Sequence, residues 1–433
     1  MQTNFSEEQL SDPSLKRANE ILRSCVHCGM CTATCPTYQL LGDELDSPRG
    51  RIYLMKDMLE NGRPADAATV KHIDRCLSCL ACMTTCPSGV HYMHLVDYTR
   101  QYIEETYRRP LSDRALRWIL KEIIPYPKRF RLALLGARIG RGFRGLMPDA
   151  RLRAMLEMAP DHIPPVSRDD DPQEFKAIGE AKWRVVLMTG CAQKALRTNI
   201  NEATIRLLRR LGCDVVIPSG AMCCGALTHH MGKVKDSHRR AVDCIDSWTS
   251  EFGDKGVDAI IINASGCGTT VKDFGYMFRN SEMAEKARTV SEHALDITEF
   301  LERIEFPRQS PNGIRVAYHA ACSLQHGQSV RSSPKQLLTS AGFECSEPVD
   351  SHLCCGSAGT YNLLQPELSG RLKVRKVRAI EQLSPDVVAS GNIGCIMQIG
   401  GGSKVPVVHT VELLDWATGG EVPPGMEAIA TTH

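Results

Sequence analysis

Eight cysteines near the amino end constrain this chain more than any other feature. Cys25-x2-Cys28-x2-Cys31-x3-Cys35-Pro36 recurs as Cys76-x2-Cys79-x2-Cys82-x3-Cys86-Pro87. Three thiolates spaced by two residues can wrap one corner of a cubane, each sulfur taking a different iron, and the fourth iron then needs a ligand from elsewhere. Where two such runs lie in one chain, the fourth cysteine of each serves the other cluster. The pattern predicts Cys25, Cys28, Cys31 and Cys86 on one [4Fe-4S] cluster, with Cys76, Cys79, Cys82 and Cys35 on a second. Each proline turns the chain away after the fourth ligand. Zinc sites need only four ligands each and give no reason for a third cysteine at this spacing or for the Cys-Pro pair. The expectation is a pair of iron–sulfur clusters that pass single electrons.

The rest of the composition narrows the class. The chain has 19 cysteines in tight local groups, an odd count spread over 433 residues, which is unlike a short secreted disulfide scaffold. The opening MQTNFSEEQL is polar and acidic, with no basic and apolar export signal, so a cytoplasmic location is expected. Thiolates persist as metal ligands in such a reducing compartment. No stretch approaches the ~18 apolar residues a membrane span needs. A formal charge of +2 gives no global bias toward nucleic acid, and no such partner is expected.

Four regions follow. Residues 1–106 carry the eight cysteines and short helical signals; in PRGRIYLMKDMLENG, Ile52, Met55, Met58 and Leu59 share one helical face before an Asn61-Gly62 stop. Residues 107–179 hold a basic helical segment, with 13 Lys/Arg against 3 Asp/Glu between Arg108 and Arg153, then a linker, PDHIPPVSRDDDPQEF. Residues 180–307 and 308–433 are copies of one unit. RVVLMTGC ending at Cys191 matches RVAYHAAC ending at Cys322, and MCCG matches LCCG at the same offset of 131. VDAIIINASGC ending at Cys267 matches PDVVASGNIGC ending at Cys395, and DITEFL matches HTVELL. Both copies alternate β-branched runs with helical stretches such as NEATIRLLRRLG, the pattern of a small α/β domain. The fold expected is α+β and multi-domain: a helical two-cluster unit followed by two repeated α/β domains.

Each copy brings four cysteines to matched places: Cys191, Cys223, Cys224 and Cys267, then Cys322, Cys354, Cys355 and Cys395. Adjacent cysteines before a glycine put two thiols on a tight turn, and flanking strand ends can supply the others. A further cluster or metal in one or both copies, redox thiols, and plain buried cysteines all stand as readings. Cys213, Cys244 and Cys345 lack repeat partners and read as packing residues.

A double ferredoxin run fused to two CCG domains resembles the heterodisulfide reductase subunits and their relatives. Those relatives include the iron–sulfur subunits of anaerobic glycerol-phosphate dehydrogenase, lactate utilisation proteins and glycolate oxidase. GDELDSPRGRIYLMKDMLENGRPA followed by HIDRCLSCLACMTTCPSGVHYMHLVDYTRQYIEETYRRP is most similar to glycolate oxidase iron–sulfur subunits, and the likeness extends over nearly the whole chain. The resemblance implies an electron relay within a 2-hydroxy-acid oxidase complex. It further implies flavin-containing glycolate oxidase subunits as partners, a quinone or membrane carrier as acceptor, and the inner face of the cell membrane as the expected location. Glycerol-phosphate or lactate dehydrogenase subunits, and a thiol–disulfide reductase, are the rivals. Against the last, heterodisulfide reductase members end each CCG domain in CxxC, whereas here Ala264 and Asn392 stand at the first position.

Weaker signals point the same way. GRGFRG (Gly140, Gly142, Gly145) matches a dinucleotide fingerprint but follows an arginine-rich helical stretch instead of a strand, so neither NAD nor flavin is expected on this chain. The basic segment 107–155, with Trp118, Ile119, Phe130 and Leu132 among its arginines, reads as a solvated interdomain helix or as a peripheral membrane contact. His229, His230, His319 and His326 lie near the CCG cysteines and read as structural, and no catalytic triad is apparent.

Overall fold

A computed structural model of the chain describes residues 1–431 apart from 148, 254 and 255. Small parts of the expected basic segment and of both repeats, including the end at 433, therefore lie outside the described residues.

The N-terminal unit is built from helices α1 (Pro13–Ser24), α2 (Pro48–Glu60), α3 (Ala67–Asp74) and α4 (Tyr92–Thr106). Asp12, Ser47 and Asp66 side chains accept N–H groups of the first turns of α1, α2 and α3, so each start is capped. In α2 the predicted face is the buried one: Ile52, Met55, Met58 and Leu59 join Leu22, Ile73, Leu95 and Ile103 in one core. Each such side chain is worth about 1.5–3 kcal/mol of burial. The helix ends at Asn61, and Gly62 takes a left-handed φ of 57°.

Residues 107–158 form α5 (Leu111–Ile123), α6 (Pro127–Gly140), a 3-10 turn over Arg141–Leu146 and α7 (Ala150–Met158). The GRGFRG run thus closes a helix. Much of the segment's positive charge is answered by carboxylates elsewhere in the protein. Arg109 and Arg117 both reach Asp74 and Asp113, Lys121 reaches Asp236, and Arg141 reaches Asp161. Arg108, Arg114, Lys128, Arg138 and Arg144 stay exposed.

Strands β2 (Trp183–Met188), β3 (Cys213–Ile217), β4 (Ala259–Ile262) and β5 (Ala294–Asp296) run parallel in the order β3-β2-β4-β5. The second repeat copies this with β6 (Arg315–Tyr318), β7 (Glu344–Ser346), β8 (Val387–Ser390) and β9 (Val407–His409), ordered β7-β6-β8-β9. All four residues of β4 and of β8 are buried, as expected for parallel strands covered on both faces. The first sheet has one strand more: β1 (Gln173–Phe175) pairs antiparallel with β3. It lies in the stretch expected as linker. Three residues are too few to carry a periodic signal, and Asp214 secures the following turn by accepting the Ala177 N–H.

The two repeats share one core. Their seam is polar and specific: Arg206 and Arg210 both grip the buried Asp415, His409 Nε2 approaches Asn263 O at 2.8 Å, and Ser265 N–H donates to Gly391 O.

Candidate metal centres

In the N-terminal unit each cysteine run wraps a loop on residues in the left-handed region. His27 (φ 57°) and Gly29 (φ 82°) in the first loop correspond to Ser78 (φ 51°) and Leu80 (φ 62°) in the second. Three of these are not glycine, so both loops hold a costly backbone at matched positions, the kind of strain that marks functional loops. Successive N–H groups in such turns point inward and favour a negative guest. Ser78 N–H lies 3.4 Å from Cys76 Sγ, and Val90 N–H lies 3.5 Å from Cys86 Sγ.

Two cavities divide the eight cysteines. One is lined by Cys25, Cys28, Cys31, Cys82 and Cys86, the other by Cys35, Cys76, Cys79 and Cys82. Cys86 therefore faces the first run and Cys35 the second, with Cys82 between the two cavities. Cys28 is exposed, with Val26 and Met30 beside it also largely in solvent, whereas Cys35, Cys76 and Cys79 are buried.

Two cations that sequence reading passed over shape the second cavity. Arg51, only 1% exposed, places Nη1 3.8 Å from Cys35 Sγ, and Asp46, Thr37 and the His72 carbonyl fix it. Arg100 donates to Cys76 O at 2.8 Å and to Ser78 Oγ. Burial alone would push the Cys76 thiol up, but Arg51 and Arg100 bring it below the ordinary thiol range. Cys79 and Cys82 are instead pushed well up, by burial first and then by neighbouring thiols. Buried sulfurs this crowded repel one another as thiolates, so the donor set fits a cationic iron–sulfur core that neutralises them. The only sequence hint of the arginines was their place in the quoted PRGR and DYTRQY stretches.

The CCG cysteines all sit beyond the carboxyl ends of strands β2, β3 and β4, or β6, β7 and β8. In each sheet the connections leaving the neighbouring strands β2 and β4, or β6 and β8, run in opposite directions along the sheet. That opens the crevice where parallel sheets bind ligands. The glycine of each CCG is required there. Gly225 and Gly356 have φ of 85° and 92°, and an added Cβ would lie 2.7 Å from Ser237 O and Ser369 O respectively. In the first repeat Cys191, Cys223, Cys224 and Cys267 form a chain of thiol contacts that holds Cys223 well below its usual pKa, with Cys191 and Cys224 as donors. In the second, Cys322 Sγ lies 3.7 Å from Cys354 Sγ, and Cys355 links Cys354 to Cys395.

All eight CCG cysteines line one cavity of about 730 Å³ between the repeats, with Leu120 of α5, Ile124 just after it, and Phe130 and Leu134 of α6 covering its apolar side. The second repeat also abuts the ferredoxin unit. Leu77 and Cys79 pack with Cys354 and Cys322, and Thr84 Oγ1 meets His326 Nδ1 at 2.8 Å. The first repeat meets α4 instead, through Asp97 against His229 at 3.2 Å. Cys213, Cys244 and Cys345 do not line this cavity; Cys213 and Cys244 belong to the apolar cores and Cys345 packs at the edge of one.

A 4Fe-4S dicluster domain model matches residues 21–90, and a cysteine-rich domain model matches residues 185–272 and 316–400. The chain is 41% identical over 422 residues to the glycolate oxidase iron–sulfur subunit of Escherichia coli (strain K12), covering 96% of this chain and 99% of that protein. It is 32% identical over 448 residues to the probable glycolate oxidase iron–sulfur subunit of Bacillus subtilis (strain 168), covering 97% and 99%. Lactate utilization protein A of Bacillus subtilis (strain 168) is 28% identical over 243 residues, 54% of this chain and 99% of that protein.

Proposed function

This chain belongs to the family of glycolate oxidase iron–sulfur subunits, and from that premise we infer that it is the electron-transfer subunit of a glycolate-oxidising complex. A flavin-containing partner subunit removes two electrons from glycolate or a related 2-hydroxy acid, and this chain takes them singly. Bound [4Fe-4S] clusters supply one-electron storage. Cys25, Cys28, Cys31 and Cys86 hold one and Cys76, Cys79, Cys82 and Cys35 the other, a division supported by the two cavities they line. Lactate utilization relatives span only about half the chain, so a lactate complex is the less supported reading.

The observation that carries the relay is contiguity. The exposed Cys28 edge offers an entrance, Cys82 lies between the two cavities, and Cys79 leads onto Cys322 and Cys354. The route ends at the large interdomain cavity, whose apolar wall suits a quinone ring and the start of its tail. Outside that wall, Trp118 on α5 and Leu132, Leu135 and Ile139 along α6 are exposed, with Phe143 and Leu146 in the following turn. Arg114, Arg138 and Arg144 flank them, which supports a peripheral contact with anionic membrane at about 1 kcal/mol per cation. Arg131 and Arg141 make poor probes of that contact because both bond into the fold.

The test is the complex co-purified anaerobically with its flavin-containing subunits. Glycolate should bleach the iron–sulfur absorbance, and a quinone analogue should restore it. Bleaching by glycerol phosphate but not glycolate would sink the substrate assignment. Replacing Arg114, Arg138 and Arg144 by Glu should move the complex off anionic vesicles; unchanged partition would remove the membrane contact.

A further inference from the structure

Among the buried positions at which the repeats differ, one bears on their metal chemistry. His319, immediately after β6 and three residues before Cys322, is 1% exposed, and neither ring nitrogen has a hydrogen-bond partner. A wholly buried imidazole with both nitrogens unanswered forfeits the hydrogen bonds that water would give it unless a ligand completes it. Its backbone is tied down, His319 N–H donating to Ala389 O at 2.8 Å. A ring nitrogen of His319, Cys355 Sγ and Cys395 Sγ all lie within 4.8 Å of one another. Cys322 and Cys354 extend the same sulfur line at 3.7 Å. Asn392, where a cysteine would complete CxxC, instead donates Nδ2–H to Cys395 Sγ at 3.4 Å. At the matched place in the first repeat stands Met188, 5% exposed and packed among apolar side chains with Cys224.

We propose that His319 is a ligand of the second CCG repeat, which with Cys322, Cys354, Cys355 and Cys395 forms a buried Cys4His set for an iron–sulfur centre bearing one imidazole-ligated iron. This rests on the relay reading above. Cys79 of the ferredoxin unit packs against two of these sulfurs, which places the set next to a cluster ligand. Exchanging a thiolate for a neutral imidazole makes a cluster less negative and raises its potential, as histidine ligation does in other iron–sulfur centres. Beside the acceptor cavity, such a centre would collect electrons from the two clusters upstream. The first repeat, with four thiols and a thioether, would not share that property.

The experiment uses the full-length protein isolated anaerobically, with histidine labelled by nitrogen-15. Pulsed electron paramagnetic resonance on the reduced protein should show a strongly coupled nitrogen whose frequency changes with the label. His319→Ala should remove that coupling together with the iron of the second repeat, leaving the N-terminal signals intact. His319→Cys should keep the iron, lose the nitrogen coupling and lower the midpoint potential of that centre, a pattern that loss of packing alone does not produce. Met188→Ala should leave the coupling unchanged. Zinc in the second repeat, or full iron and unchanged potential in both His319 variants, overturns the proposal. Loss of the N-terminal clusters in the unmodified protein would sink the relay reading instead.

Discussion

The two CCG repeats have the same strand order, the same four cysteines and the same forced glycine, yet their surroundings differ. The second lies against Cys79 and Thr84 of a cysteine loop, so its sulfurs continue the row that begins in the ferredoxin unit. The first rests on α4 through an Asp97–His229 ion pair and borders the same apolar cavity from the other side. A duplicated scaffold therefore supplies two chemically similar crevices, and docking decides which one adjoins the electron path. Symmetry of sequence does not make symmetry of role.

The largest expected effect compares those crevices directly. Cys354→Ser should slow reoxidation of the reduced protein by a quinone analogue by about 100-fold, and Cys223→Ser by about 10-fold or less. Stopped-flow absorbance reads both, and equal losses would break the contrast. Next, Arg51→Ala removes the buried guanidinium beside Cys35 and one of the two that face Asp46, leaving Arg75 at 2.7 Å, and breaking a buried pair costs up to about 3–5 kcal/mol. The second ferredoxin cluster should be lost, isolating the second repeat, while Arg240→Ala, which removes a buried guanidinium of the first repeat that lies over the Tyr126 ring, leaves iron content unchanged; iron and sulfide assays decide.

A smaller pair tests what the repeats share. Gly225→Ala and Gly356→Ala each put a side chain on a left-handed backbone and against a carbonyl at the same 2.7 Å, so both should lose about 1–3 kcal/mol in urea unfolding. A large difference would mean that the turns are not equivalent. The smallest effect is that of pH on the first repeat's seat. Burial acts against both charges, but Asp97 still lies well below the carboxylate range and His229 above the usual imidazole, because each faces the other. His229 contributes fully below its unfolded pKa, near 6.5, and its share fades as pH rises through the raised folded value; Asp97 contributes above about 3.8 and is lost on strong acidification. Protection of α4 amides from exchange should therefore be greater at pH 6 than at pH 8, and Asp97→Asn should flatten the difference.

Legibility in sequence follows from how local each signal is. The helix over Pro48–Glu60 was readable because its apolar spacing and its stop both lie within fifteen residues, and the repeat was readable because three registers agree. Strand β1 was hidden by its length and by the acidic, proline-rich stretch before it. The charge of residues 107–155 was overestimated as a free surface, since Asp74 and Asp236, which answer Arg109, Arg117 and Lys121, are far away in the chain. His319 was visible as a histidine near Cys322, but nothing linear reveals that both its nitrogens lack partners.

Sequence alone determined the donor chemistry: soft sulfur ligands at cubane spacing, a doubled α/β unit, and glycines where a turn admits no side chain. These are properties of residue type and near-neighbour spacing, which the chain carries before it folds. Tertiary structure decided what distance in sequence conceals. It set Arg51 beside Cys35, brought Cys79 to Cys322 across more than half the chain, and left an imidazole in one crevice where the other has a thioether. Burial and electrostatics act through space, so only the folded chain reveals which of two matched sites is joined to the current.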